Sequence, residues 1–247
     1  MGKQVSTLKA VGKVGDIVGF TTKKGEIGMR AKSIKPYTSQ TKKQIIQRTR
    51  FLAVTSLAQR FLPAIAGLTP TAVQQRITKR NAFVKLNMPA VTVLDPASES
   101  DIHATTNYAD VILSRGMLGG VTFSGARFDD TLTVKVNFAA NLEGYMANAD
   151  DEVILAVYAP EVDEIVLADR VTRNEGTVEI QVPTGWNGLT VHVFGYTMGF
   201  KDSADRVTYD SYWDGSYSAG EARAEIERIE SEAIYSNSVY VGNGTIS

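Results

Sequence analysis

Thr131-Leu132-Thr133-Val134-Lys135-Val136-Asn137-Phe138 alternates polar and apolar residues without a fault, the pattern of a strand with one face in a core and the other in water. Strand-like runs continue on its C-terminal side at 153–158, 165–168, 177–182 and 189–197. Turn clusters such as Asn148-Ala149-Asp150-Asp151 and Asn187-Gly188 separate them, as hairpin connections require. Short strands at this spacing predict an antiparallel β-sandwich, of jelly-roll or immunoglobulin-like type. Near the end, residues 220–230 return to helical spacing. Ala222, Ile226, Ile229 and Ala233 fall on one face opposite an acidic one, which predicts an acidic amphipathic helix, and a last strand follows at 238–241.

The N-terminal side has a different character. Ile17-Val18-Gly19-Phe20-Thr21-Thr22 and Glu26-Ile27-Gly28-Met29-Arg30-Ala31 flank Lys23-Lys24-Gly25, where glycine supplies the positive φ of a hairpin loop. After Pro36 the spacing is helical. Ser39 or Thr41 caps a helix that runs to Pro63, with Ile46, Leu52 or Ala53, Leu57 and Phe61 as its buried stripe and Lys43, Gln47, Arg50 and Arg60 outward. A second helix starts at Thr69-Pro70 with Thr as N-cap. It carries Val73, Ile77, Phe83 and Val84 inward and Arg76, Lys79 and Arg80 on its other side. The pair forms a basic helical hairpin turned at Gly67. The fold class expected is α+β, mainly β, with a basic region at 1–90 and an acidic β-sandwich domain at 91–247. No internal repeat is visible, which disfavours a solenoid.

Charge separates the same two regions. Residues 1–85 hold 17 Lys and Arg against only Asp16 and Glu26, a net of +15, so the remaining residues carry 9 basic and 25 acidic groups, a net of −16. Three uses of this division are open: binding a polyanion, joining basic and acidic surfaces of neighbouring copies, or neutralising the two regions within one molecule. The candidate contact residues for a polyanion or a neighbouring subunit are Lys3, Lys9, Lys13, Lys23, Lys24, Arg30, Lys42, Lys43, Arg48, Arg50, Arg60, Arg76, Lys79 and Arg80. Arginines among them can fork onto phosphates. With no zinc finger, RNA-recognition motif or helix-turn-helix spacing, nucleic-acid binding is expected to be independent of base sequence and sensitive to salt.

Motifs for chemistry are sparse. The chain of 247 residues has no cysteine, which excludes disulfides, thiolate metal sites and cysteine nucleophiles. His103 and His192 lack metal-ligand spacing and are expected to be structural. Phe123-Ser124-Gly125 reads as a strand end entering a turn, not a nucleophile elbow. Gly12-Lys13-Val14-Gly15-Asp16-Ile17-Val18-Gly19 lacks the Gly-Lys-Ser/Thr ending of a phosphate loop. Asp129-Asp130, Asp150-Asp151-Glu152, Glu161-x-Asp163-Glu164, Asp202 with Asp205, and Asp210 with Asp214 fall in turns and read as solvated loops. Tyr212, Trp213 and Tyr217 form a candidate aromatic contact loop. No metal, cofactor or catalytic set is expected. No run approaches the roughly 18 apolar residues of a membrane span, and Met1-Gly2-Lys3-Gln4-Val5-Ser6 lacks the apolar core of a secretion signal.

Three stretches carry a resemblance: Gly12-x-x-Gly15-Asp16-Ile17-Val18-Gly19 with Lys24-Gly25 and Arg30 behind it, Thr41-x-x-Gln44-x-x-Gln47-Arg48-x-x-Phe51, and Ser236-Asn237-Ser238-Val239-Tyr240-Val241-Gly242. In them the chain resembles a family of uncharacterised proteins found mainly in Bacteroidota and their mobile elements. That resemblance implies a phage or mobile-element origin and no activity. Two functions follow as expectations. One is a non-enzymatic, self-assembling subunit of capsid type, homo-oligomeric, in a virion or the cytoplasm, with its basic region on nucleic acid or a neighbour. The alternative is a periplasmic or cell-surface β-sandwich module that binds a glycan or protein.

Overall fold

The computed structural model describes residues 12–14, 17–21, 27–31, 41–94, 102–129, 132–200, 205, 207–208 and 222–246. Met1–Ile45 and Ile46–Ser247 are two compact units. The first contains an antiparallel sheet of β1 (Gly12–Val14), β2 (Ile17–Thr21) and β3 (Ile27–Ala31). The expected hairpin is thus present as β2–β3, with Gly19 opposite Met29; its loop, Lys23 to Gly25, lies outside the described residues.

α1 (Lys42–Arg60) starts where Thr41 and Gln44 cap each other. The Gln44 N–H donates to Thr41 Oγ1 at 3.4 Å and the Thr41 N–H to Gln44 Oε1 at 3.1 Å, a reciprocal box that satisfies two otherwise orphaned donors. The helix stops at Arg60, and Pro63 lies in the 3-10 turn Leu62–Ala64 that follows it. The buried stripe is Val54, Leu57, Ala58 and, one residue past the helix, Phe61, spaced three and four apart. Of the two alternatives Leu52 and Ala53, Ala53 is half-buried and Leu52 is 70% exposed: a stripe centred on Val54 and Ala58 places Leu52 on the opposite face. The second helix is also corrected. It divides into α2 (Thr69–Gln75) and α3 (Lys79–Asn87), because Arg76 adopts a left-handed φ of 54° and Thr78 recaps the chain by accepting from the Asn81 N–H. Leu68, rather than Thr69, occupies the N-cap of α2.

The remaining strands are β4 (Val91–Val93), β5 (Ala104–Thr106), β6 (Thr122–Asp129), β7 (Thr133–Ala139), β8 (Glu152–Ala159), β9 (Glu164–Leu167), β10 (Val171–Thr172), β11 (Thr177–Gln181), β12 (Thr190–Gly199), β13 (Ile234–Tyr235) and β14 (Val239–Thr245). α4 (Ala222–Glu232) precedes the last two. All pairings are antiparallel. β8 and β12 form the centre of a six-stranded sheet, with β9 and β10 along the free side of β8 and β13 and β14 along that of β12. β11, β7 and β6 form a three-stranded sheet. β6 runs through Ser124 and Gly125, where the register shifts, so the expected strand end is instead an irregularity inside a strand. Helix and strand occur in comparable amounts, and "mainly β" gives way to an even mixture.

Alternation along β8 explains the layering. Val153, Leu155, Val157 and Ala159 join Val134, Val136, Phe138, Val178 and Ile180 in a core between the two sheets. Ala156 and Tyr158, with Phe194, Tyr196 and Met198 of β12, join Leu57, Phe61, Leu68, Phe83 and the α4 residues Ile226 and Ile229 in a second core. The six-stranded sheet is therefore buried on both faces. The seam expected near residue 90 instead lies within continuous packing, since residues 57–90 share their core with β8, β12 and α4.

Candidate interaction surface

Between Glu26 and Asp95 the chain has no carboxylate side chain, so the exposed side of α1–α3 is basic, polar or apolar throughout. It carries an open groove of about 530 Å³ between α1 and α3, lined by Phe51, Thr55, Arg80, Asn81, Val84, Lys85 and Met88. Two arginines clasp its walls: Arg50 Nε donates to the Met88 carbonyl at 2.9 Å and Arg80 Nη2 to the Thr55 carbonyl at 3.4 Å. Lys85 Nζ donates to Gln75 Oε1 at 2.9 Å. Phe51 is 53% exposed at the groove beside the still more exposed Leu52.

Several predicted contact cations are already engaged within the molecule. Arg60 pairs with Asp163 at 2.6 Å, and Lys79 with the buried Glu230 of α4 at 3.2 Å. Lys42 and Arg48 also have interaction partners. Lys43 is exposed on α1 and Arg76 lies between α2 and α3. Lys13 and Arg30 both sit opposite Val18 in the N-terminal sheet. Lys3, Lys9, Lys23 and Lys24 lie outside the described residues, as do Tyr212, Trp213 and Tyr217.

Asp163 opens a polar chain beneath the helices. Tyr158 donates its hydroxyl to Asp163 Oδ1 at 2.8 Å. Tyr108 packs against Tyr158 and stacks on His192 with ring centroids 4.1 Å apart. His192 Nδ1 meets the Tyr240 hydroxyl at 2.9 Å. Burial pushes the Tyr158 hydroxyl well above its ordinary value, helped by its bond to Asp163, and burial also raises Tyr108 and Tyr240. Burial lowers His192 below 6.5, against the opposing charge of Glu161. The neutral forms are thus favoured, and the array ties α1 and the 108–110 turn to the sheet, with His192 between Tyr108 and Tyr240. A histidine with a depressed folded pKa contributes stability above its unfolded pKa and loses it as pH falls through the folded value. Acidification from pH 7 to 5 is accordingly expected to lower Tm, and His192→Gln to flatten that slope in a thermal titration.

The acidic clusters are not all solvated. Asp151 and Glu152 are buried, because Asp151 accepts from Arg173 Nη2 at 2.8 Å and Arg170 pairs with Glu152 at 3.3 Å. Sequence reasoning missed Arg173, fully buried and bonded also to the carbonyls of Gly119 and Ala140; an arginine in a polar turn carries no pattern that marks it as buried. Among the described residues no group of three or more His, Asp or Glu side chains converges as a metal site.

The model of a family of unknown function, DUF6266, matches residues 9–213. The chain belongs to DUF6266. The match spans the groove, the sheet of β6, β7 and β11, and strands β8, β9, β10 and β12, and ends before α4, β13, the Ser236-Asn237-Ser238 stretch and β14. No curated protein and no solved structure matches this DUF6266 chain. The C-terminal stretch straps residues 113–118 to β12. Ser236 Oγ accepts from the Thr197 N–H at 2.8 Å, the Ser236 carbonyl accepts from Ser114 Oγ at 2.6 Å, and Ser238 Oγ accepts from the Leu113 N–H at 2.9 Å. No described helix of the DUF6266 chain is long and apolar enough to cross a membrane.

Proposed function

We propose that this DUF6266 member is a non-enzymatic, self-associating structural subunit, of the capsid type that virus and phage particles use. On this reading the facing sheets act as a β-sandwich body and the helical layer makes the contacts. The observation that carries it is the run of residues 27–94, which has no carboxylate of its own, with Phe51 exposed at its groove and Leu52 exposed beside Phe51 on α1, on a chain whose residues after 85 carry a net of −16. Exposed apolar side chains framed by one sign of charge fit a protein contact better than a phosphate track. The engagement of Arg60 and Lys79 inside the molecule favours subunit contact over nucleic acid for the same reason: fewer cations remain to release counterions.

Light scattering and negative-stain microscopy of the purified protein, with and without oligonucleotide at two salt concentrations, test this reading. Oligomers that form without nucleic acid are expected. A monomer under every condition, eluting from heparin at low salt, would overturn it. The alternative of a glycan-binding module places its weight on Tyr212, Trp213 and Tyr217, outside the described residues.

A further inference from the structure

The connection between β7 and β8 is built as a rigid apolar knob. Leu142 is 49% exposed, Tyr145 63% and Met146 49%. Apolar side chains this exposed usually sit on mobile chain, yet here the backbone is fastened at nearly every step. The Gly119 N–H donates to the Tyr145 carbonyl at 2.7 Å, Asn141 Nδ2 to the Gly120 carbonyl at 3.1 Å, and the Gly144 N–H to the Asn141 carbonyl at 3.2 Å. Arg173 Nη1 holds the Ala140 carbonyl at the base. Gly119 and Gly144 approach so closely that a Cβ on Gly119 would lie 2.6 Å from the Gly144 Cα. Asn141 and Met146 adopt φ of 48° and 55°, a region that side-chain-bearing residues avoid and that persists where surrounding structure imposes it. The arrangement fixes the knob's shape while leaving its apolar side chains in water, which is what a preformed contact surface requires.

The knob has a charge sign as well. Glu143 is the charged residue of 141–146, and it stands exposed between Leu142 and Tyr145; Asp151 and Glu152 farther along are buried against Arg173 and Arg170. The α1–α3 groove is its counterpart: Phe51, Val84 and Met88 supply an apolar floor, and Arg80 and Lys85 a basic rim. No residue of 140–152 lines the groove of its own molecule, so knob and groove are separate patches and each is open to the complementary patch of a second copy.

We propose that copies of this chain associate head to tail, the 141–146 knob of one copy entering the α1–α3 groove of the next. The inference rests on the self-association reading and specifies its contact. A knob-to-groove contact joins two different patches, so it propagates into a ring or a filament rather than stopping at a two-fold dimer.

Sedimentation velocity on Phe51→Glu, on Tyr145→Lys and on their equimolar mixture tests it, beside the wild-type protein. Both positions are more than half exposed, so the variants should keep the wild-type Tm. Each alone should associate at least about tenfold more weakly, as loss of an interface anchor entails. The mixture should form a heterodimer and nothing larger, because one partner retains the knob and the other the groove. A wild-type protein that assembles while the variants assemble undiminished, or while the mixture stays monomeric, overturns the knob-and-groove contact and leaves self-association standing. A monomeric wild type overturns both. Phe51→Glu that weakens oligonucleotide binding, with Tyr145→Lys self-association unchanged, assigns the groove to a polyanion and likewise overturns the proposal.

Discussion

Arg173→Met is expected to destabilise the protein by about 3–5 kcal/mol, the usual consequence of removing one member of a buried ion pair, and to lower Tm by roughly 6–20 °C for a chain of this size. Arg173 has no exposed surface and Asp151 almost none, so Asp151 would lose this partner in a site that water does not reach. The substitution also strips donors from the Gly119 and Ala140 carbonyls, each within 2.9 Å of the guanidinium. Since those carbonyls anchor the 141–146 knob, limited proteolysis in that loop should accelerate along with the loss of stability. Arg173→Met combined with Asp151→Leu should recover much of the deficit, because replacing both members by apolar groups leaves no stranded charge. A thermal melt of Arg173→Met that coincides with wild type would show that the pair does not hold the loop.

Phe61→Ala should cost about 3–5 kcal/mol, the range for deleting a fully buried ring, and should do so in one cooperative step. Phe61 is fully buried where α1 gives way to the turn at Pro63. Its ring centroid lies 4.8 Å from Tyr158 of β8, 5.6 Å from Phe194 of β12 and 5.9 Å from Phe83 of α3. A cavity there loosens helix and sheet together. Denaturant unfolding of Phe61→Ala, followed by helical ellipticity and by tryptophan fluorescence, should therefore shift by the same amount on both probes; Trp186 belongs to the core on the far side of the sheet. Separate transitions, with the fluorescence midpoint unmoved, would mean that residues 46–90 fold apart from the sheets.

Much of this architecture is legible in local pattern, and the departures from it have physical causes. β7 and β11 alternate cleanly and read as strands from sequence alone, while Thr41 marks the start of α1 through capping chemistry that acts within a few residues and Pro63 lies in the turn just past its end. The covering of β8 on both faces is also written in the chain: Val153 to Ala159 contains no charged residue, as a strand buried on two sides demands. Reading it as half of a sandwich leaves out the helices that occupy its second face. Arg76 breaks the second helix without Gly or Pro to announce it. The engagement of Arg60 and Lys79 depends on Asp163 and Glu230, more than a hundred residues away, and no local signal encodes a partner at that distance. The knob is hidden for a related reason, since Leu142, Tyr145 and Met146 look like ordinary turn neighbours until Arg173 and Gly119 fix the loop around them.

Self-association through the exposed side of α1–α3 is most directly tested by sedimentation equilibrium of the wild-type protein over a wide concentration range at low and high salt. Self-association entails a concentration-dependent rise in mass beyond the 26.8 kDa chain, reduced but not abolished by salt, because the contact joins screened charges to apolar side chains that salt does not weaken. A mass that stays at one chain across the whole series would contradict it.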